Sequence, residues 1–255
     1  LIANNTAAQY GGALYVENGT AQLTNAHLHN NDAGAAGGAL FLSNGEASIG
    51  DDPVACANAA LPQNTYCSEL RGNSAATGGA LYTDQASRLS VENTALIANI
   101  SPLGSAVAAT GNGDILEITN SLLALNAGKA LYANADIFLD LVHSTLAANE
   151  WAIDIDDNGA GASFSNNIIW NNDFGVESEV PLGGDCSFSQ NGIGGDMVDP
   201  LFTTTPRGPY RLQPASPAID ACAAGVSHDL DGAPRPQGVQ YDSGAFESPP
   251  ALTLL

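Results

Sequence analysis

Basic residues are scarce in this chain. Six Lys and Arg stand against 27 Asp and Glu, for a formal net charge of −21. A surface of that sign repels nucleic acid and anionic lipid; it favours solubility, divalent cations and cationic partners. Charge of either sign is thin, 13% of the residues, which argues against a coiled coil or long-helix protein. Heptads are missing, and Pro and Gly punctuate the chain, so an α-solenoid is not expected. No apolar run is long enough for a membrane span, and no signal peptide is visible. The chain opens at Leu1, without Met and inside a repeat, as a processed chain or a fragment would. Disorder is excluded by the hydrophobic share, 44%.

What is present is repetition. An apolar residue, two variable positions and an asparagine recur at Leu1–Asn4, Leu28–Asn31, Leu70–Asn73, Leu96–Asn99, Leu123–Asn126, Leu146–Asn149 and Ile169–Asn172. The asparagines fall 27, 42, 26, 27, 23 and 23 residues apart. The long interval is one repeat plus an insertion, at about residues 51–68, that holds Cys56 and Cys67. In phase with this pattern run Gly-Gly-Ala-Leu copies from Gly11, Gly37 and Gly78, with degenerate copies from Gly104, Gly128 and Glu150. A further column, three residues ahead of the apolar-x-x-Asn element, reads Asn25, Asn93, Asn120, His143 and Asn166.

Each repeat therefore holds three short strand-like pieces with turns between them. The expected fold is all-β: a right-handed parallel β-helix of three faces, about 23–27 residues per coil. A leucine-rich repeat is the nearest rival in length, but its several fixed leucines and helical patterning are missing. Ile153-Asp-Ile-Asp156 sets the phase, because stacked buried acids would be very costly. Ile153 and Ile155 point inward, Asp154 and Asp156 outward. By alignment Leu14, Leu40, Leu81, Val107 and Leu131 form an inner ladder. The asparagines Asn4, Asn31, Asn73, Asn99, Asn126, Asn149 and Asn172 are read as a structural ladder. A turn asparagine tolerates the left-handed backbone, and its amide can bond its counterpart one coil away. The paired glycines permit tight corners.

The repeats span residues 1–193 and fade after that. Residues 194–255 are Pro-rich and read as an irregular cap and tail over the last coil, whose backbone would otherwise be open. The four cysteines allow three pairings. Cys56–Cys67 and Cys186–Cys222 are the expected ones, which implies an oxidising compartment. Zinc is the rival reading, but no C-x2-C spacing occurs.

The Gly-Gly-Ala-Leu-Tyr copies resemble the repeats of bacterial surface proteins of the polymorphic-outer-membrane-protein type. The succession Asp199-Pro-Leu-Phe202, Tyr210-Arg-Leu-Gln-Pro-Ala-Ser-Pro-Ala-Ile-Asp220, Asp229-Leu-Asp-Gly232, Arg235-Pro236 and Asp242-Ser-Gly-Ala-Phe-Glu247 resembles the C-terminal signature of secreted right-handed parallel β-helix repeat proteins. Together these cover most of the chain. The resemblance implies the fold and an adhesin-like surface protein; polysaccharide lyases and glycoside hydrolases are relatives by fold. Cys222 departs from the pattern, since the family often has Gly there.

Three constellations carry chemistry. Counted from the turn asparagines, Asp154, Asp156, Glu177 and Glu179 form an outward two-by-two carboxylate patch. Neighbours are about 4.8 Å apart across coils and about 6.6 Å along a strand. Such a patch suits paired-carboxylate glycoside hydrolysis, a Ca2+ site or a plain solvated surface. Lys129 is the only base near it, and would be the proton acceptor of a lyase. The paired-Asp and Arg-x-Lys motifs of polygalacturonase-like hydrolases are missing. Second, Tyr15, Phe41, Tyr82 and Tyr132 form an outward aromatic column, interrupted by Ala108, that would hold sugar rings or a partner protein. Third, Asp229 and Asp231, with Asp242, are a weaker Ca2+ candidate. The four histidines show no metal spacing, and His143 reads as a substitute in its asparagine column. The expectation is a secreted or cell-surface structural or adhesive β-helix without catalysis, partnering itself by head-to-tail stacking into a fibre or an extracellular glycan. The alternative is a polysaccharide-active enzyme or carbohydrate-binding module.

Overall fold

The computed structural model describes residues 1–52, 66–134, 136–156, 161–179, 182–193 and 195–249. Every regular element among them is a strand. The coils build three stacked parallel sheets. Sheet 1 has eight strands and carries the apolar-x-x-Asn elements: Ile2–Ala3, His27–His29, Ser68–Arg71, Thr94–Ile97, Leu122–Ala124, Thr145–Ala147, Ile168–Trp170 and Phe188–Ser189. Sheet 2 has seven: Leu14–Glu17, Leu40–Ser43, Leu81–Asp84, Val107–Ala109, Lys129–Asn134, Trp151–Asp156 and Phe174–Ser178. Sheet 3 has six: Thr20–Thr24, Glu46–Gly50, Arg88–Glu92, Ile115–Thr119, Phe138–Val142 and Gly161–Ser165. The fold is the expected three-faced parallel β-helix.

The register is that of the inner ladder. Leu14, Leu40, Leu81, Val107, Leu131, Ile153 and Val176 are successive partners across sheet 2. They meet Leu28, Leu70, Leu96, Leu123, Leu146 and Ile169 from sheet 1, and Leu89, Leu116 and Leu139 from sheet 3, in one core. Burying each such side chain contributes about 1.5–3 kcal/mol, which is why alternate positions are apolar throughout.

The asparagine ladder is present, but its first member is Asn5, not Asn4. Ile2 pairs with Leu28, and the Asn5 amide donates to Asn31 Oδ1 at 2.9 Å. From there every member repeats one geometry. The main-chain N–H and side-chain amide of Asn99 both donate to Asn126 Oδ1, at 2.9 and 3.1 Å, and its second amide proton goes to the Leu70 carbonyl at 3.0 Å. Asn31, Asn73, Asn126, Asn149 and Asn172 repeat the carbonyl bond. The left-handed backbone belongs to the residue before each ladder asparagine: Asn4, Asn30, Gly72, Ala98, Leu125, Ala148 and Asn171. The other column, Asn25, Asn93, Asn120, His143 and Asn166, is left-handed itself. Beside it runs a second ladder that sequence reading missed, in which Thr94, Ser121, Ser144 and Asn167 donate main-chain N–H groups to the side-chain oxygen one coil on.

Early coils are longer for a physical reason. They insert a three-stranded strip, Thr6–Ala7, Asp32–Ala36 and Ser74–Thr77, between sheets 1 and 2. The second glycine of each pair is pressed by the corner carbonyl of the next coil and, at Gly12 and Gly38, by the strip as well. A Cβ on Gly38 would fall 2.0 Å from the Gly79 carbonyl oxygen and 2.5 Å from that of Ser74, so no larger residue fits. Gly37 beside it has φ +68, a corner that glycine adopts without a side-chain clash. In the 23-residue coils the strip is gone, and Lys129, Trp151 and Phe174 occupy the corner in its place.

The C-terminal segment meets the last coil where Asp196 pairs with Phe188; most of the rest lies along the flank of sheet 1. Leu230, Ala245 and Phe246 pack on Ala95, Ile97, Leu122 and Ala124. His228, Arg235 and Ala245 bond Asn120, His143 and Thr145. Cys186–Cys222 ties it to the end of the coils, as expected. Cys56, the partner expected for Cys67, lies outside the described residues. The last coil is closed by side-chain amides. Gln190 takes the next position in the asparagine ladder, accepting from the Asn172 N–H at 2.8 Å. Asn191 bonds both the N–H and the carbonyl of Val176.

Candidate ligand-binding faces

The carboxylate patch forms where its spacing put it. Asp154 stands opposite Glu177 in register. The Glu179 N–H donates to the Ile155 carbonyl at 3.3 Å, continuing that register beside Asp156. Asp154 is 6% exposed, however, and its carboxylate is taken by the Lys129 ammonium. Burial works to lower the Lys129 pKa, but the hydrogen bond and charge of Asp154 outweigh it, and the net shift is upward. A lysine held protonated does not serve as the proton acceptor of a lyase. Lys129 also lies over the Tyr132 ring, 5.0 Å from its centre.

Among the described residues, no group of three or more His, Cys, Asp or Glu side chains is arranged to hold a metal ion. Asp229 spends one oxygen on the N–H groups of Asp231 and Ala233 and the other on that of Glu247. Asp231 receives both of its hydrogen bonds from Arg211, each at 2.8 Å. Asp242 accepts from the N–H groups of Asp220 and Ser248. These carboxylates hold the flanking segment together.

The aromatic column is a true stack. Tyr15 and Phe41 lie 5.1 Å apart with rings 1° from parallel, and Phe41 and Tyr82 lie 5.2 Å apart at 14°. Tyr10, which sequence reading left out, joins at 4.6 Å from Phe41. Burial grades along it: Tyr10 and Tyr15 are 43% and 47% exposed, and Phe41 only 6%. Ala108 separates the stack from Tyr132, which is also buried, its hydroxyl bonded to Asn134. Three of the four expected aromatics therefore work together, and the fourth belongs with Lys129 and Asp154.

His143 fills its asparagine column and anchors the flanking segment. Arg235 donates to its Nδ1 at 2.6 Å, and the Asn166 amide lies 2.7 Å from Nε2. Arginine has only donors, so Nδ1 accepts and the ring is neutral. Burial, and then the Arg235 charge, push its pKa down to about 3. Sequence signals for this contact exist in sheet 1. Thr94-Ala-Leu-Ile97 and Leu122-Leu-Ala124 carry no charged residue on either face, as a strand buried on both sides requires.

The chain matches no protein-family model, no curated protein and no solved structure. Its coordinates define a class by themselves: a three-faced parallel β-helix with a disulfide-tied segment strapped along one flank. No helix among the described residues is long and apolar enough to cross a membrane.

Proposed function

We propose that the chain is a secreted or cell-surface β-helix that acts by adhesion rather than catalysis, holding extracellular glycan on the ring stack of sheet 2. The observation that carries this reading is the exposed pair Tyr10 and Tyr15 resting on Phe41 and Tyr82. Rings presented on a flat rigid face offer apolar area at little entropic cost, which suits the C–H faces of sugars. The Cys186–Cys222 bond and the acidic surface accord with an oxidising, cation-containing exterior. The resemblance of the Gly-Gly-Ala-Leu-Tyr copies to surface-protein repeats points the same way.

The test is retention of the native protein on insoluble polysaccharides (cellulose, chitin, mannan and xylan) with reducing ends assayed in the supernatant. Retention without release is expected, and Tyr10→Ala with Tyr15→Ala should cut the affinity at least tenfold. Release of reducing ends that Asp154→Asn and Glu177→Gln abolish would replace this reading with a polysaccharide-active enzyme. Fibre formation needs a receptive edge at both ends of the helix. The rung of Ile2–Ala3, Leu14–Glu17 and Thr20–Thr24 pairs on one side only among the described residues. Gln190 and Asn191 already occupy the other end. Sedimentation velocity across a hundredfold concentration range reads whether copies stack; the amide-closed end argues for a single species.

A further inference from the structure

A second site lies where the sheet 1 strand Ile168–Trp170 meets the antiparallel hairpin Phe202–Thr205/Gly208–Leu212. The cleft encloses about 360 Å³, within the usual range of small-molecule pockets, roughly 300–1,000 Å³. Its wall combines Trp170, Phe202 and Tyr210 with Asn171, Asp199 and Gln213.

The aromatic side follows from the outward column of sheet 1, which reads Ile97, Ala124, Ala147 and Trp170 in register. The flanking segment covers Ile97 and Ala124. At Trp170 it folds back as the hairpin and leaves the indole half-buried. Phe202 meets Tyr210 edge-on, 5.7 Å and 73°.

The hairpin is distorted at this place. Its register shifts between Thr203 and Thr205, and Tyr210 has φ 63. A left-handed backbone under a bulky aromatic is rare, and bulges serve to re-aim side chains. Leu201 and Asn171, both lining the cleft, are left-handed as well.

The polar side is only half engaged. Asp199 Oδ1 accepts the Leu201 N–H, and Gln213 Nε2 donates to the Phe202 carbonyl. Asn171, Asp199 and Gln213 are exposed, and Asp199 Oδ2, Gln213 Oε1 and the Asn171 side-chain amide face solvent with no protein partner among the described residues. No Lys, Arg or His lines the cleft, so an anionic ligand finds no counter-charge while Asp199 repels it.

We propose that this cleft binds an uncharged pyranoside, with the apolar ring face on Trp170 and the hydroxyls on Asn171, Asp199 and Gln213. Donors and acceptors without a cation are what a neutral polyol needs. The site is separate from the sheet 2 stack and stands whether or not that stack binds.

The chain has two tryptophans, and Trp151 stacks on Phe174 in sheet 2. In a Trp151→Phe background, Trp170 emission therefore reports on the cleft alone, whereas retention through Tyr10 and Tyr15 reports on the stack. Titration uses cello-, xylo-, manno- and chito-oligosaccharides, with oligogalacturonate as the charged comparison. A saturable change with at least one uncharged oligosaccharide is expected. Asn171→Gly, which keeps the left-handed backbone, and Gln213→Ala, on the hairpin, should each raise Kd at least tenfold. Val239→Ser, at a position 88% exposed, should leave it unchanged. A flat response to all four uncharged series, a response to oligogalacturonate only, or full affinity in both Asn171→Gly and Gln213→Ala would overturn the assignment.

Discussion

Each interior ladder asparagine uses its whole amide. Asn99 Oδ1 accepts two bonds from Asn73, and its Nδ2 donates one to Asn126 and one to Leu70. Asn99→Ala removes the side chain and leaves the Leu70 carbonyl and the Asn73 donors unpaired in a dry interior, a loss of about 2–4 kcal/mol. Asn99→Asp keeps the acceptors but turns a carboxylate oxygen toward Asn126 Oδ1 and the Leu70 carbonyl. It should be at least as destabilising at pH 7; urea midpoints for the two variants check this order. The column before it carries a different cost. Leu125 is left-handed at φ 60 and 53% exposed, so its side chain adds strain without much burial. Leu125→Asn should raise stability by about 0.5–1 kcal/mol, read from the same curves. The ladder is legible in sequence because one residue type recurs in phase with the apolar column. Its first step is misread by one, since Leu1 and Ile2 both satisfy the apolar position and Asn4 and Asn5 the polar one. The handedness is assigned to the wrong neighbour because Ala98, Leu125 and Ala148 give no sign of it.

At the scale of elements, the strip between sheets 1 and 2 explains a change of repeat length that the spacing displays without explaining. The strip and the corner carbonyl of the next coil together demand glycine at Gly12 and Gly38, and beyond the strip the corner admits Lys129 and Trp151. Gly38→Ala should therefore lower the thermal midpoint by several degrees, corresponding to roughly 1–3 kcal/mol of backbone displacement. Differential scanning calorimetry reads the shift. The sheet 2 face was legible as a column, and so was the register that joins Asp154 to Glu177. The pairing of Asp154 with Lys129 turns on side-chain reach, which spacing does not encode. Tyr10 was missed because it precedes the glycine pair and follows no repeat; only the tight corner at Gly11 brings its ring to Phe41.

For the whole molecule, the contacts that matter most are the least local. Asn120 and His228 are 108 residues apart in sequence, and Arg235 and His143 are 92 apart, so no repeat pattern announces them. They also set a pH dependence. Folded His143 stays neutral down to about pH 3, whereas an unfolded histidine gains its proton near 6.5. Between those values the unfolded chain holds the extra proton. The stability this site contributes is therefore fully present above about pH 6.5 and is lost as pH falls toward 3, at no more than about 1.4 kcal/mol per pH unit. Asp229, Asp242 and Glu247 around Arg235 are raised by burial. They act with opposite sign, since their folded forms take up protons first. His143→Asn restores the residue its column prefers and removes one titration only. The stability of the native chain relative to this variant should decline between pH 7 and pH 4; a difference independent of pH would contradict the burial of a neutral imidazole.

A solenoid whose coils touch only their neighbours can come apart from either end, one layer at a time. Here the flank segment works as a splint. It grips non-adjacent layers at once, from the strand of Thr94 to that of Ile168, so none of those layers can peel away without breaking the splint's hold on the others. Among the described residues, none of its cited contacts involves the layers of Leu14 and Leu40. Melting should therefore divide into a frayable leading end and a single all-or-none block behind it, with the border set by the length of the splint rather than by the repeat.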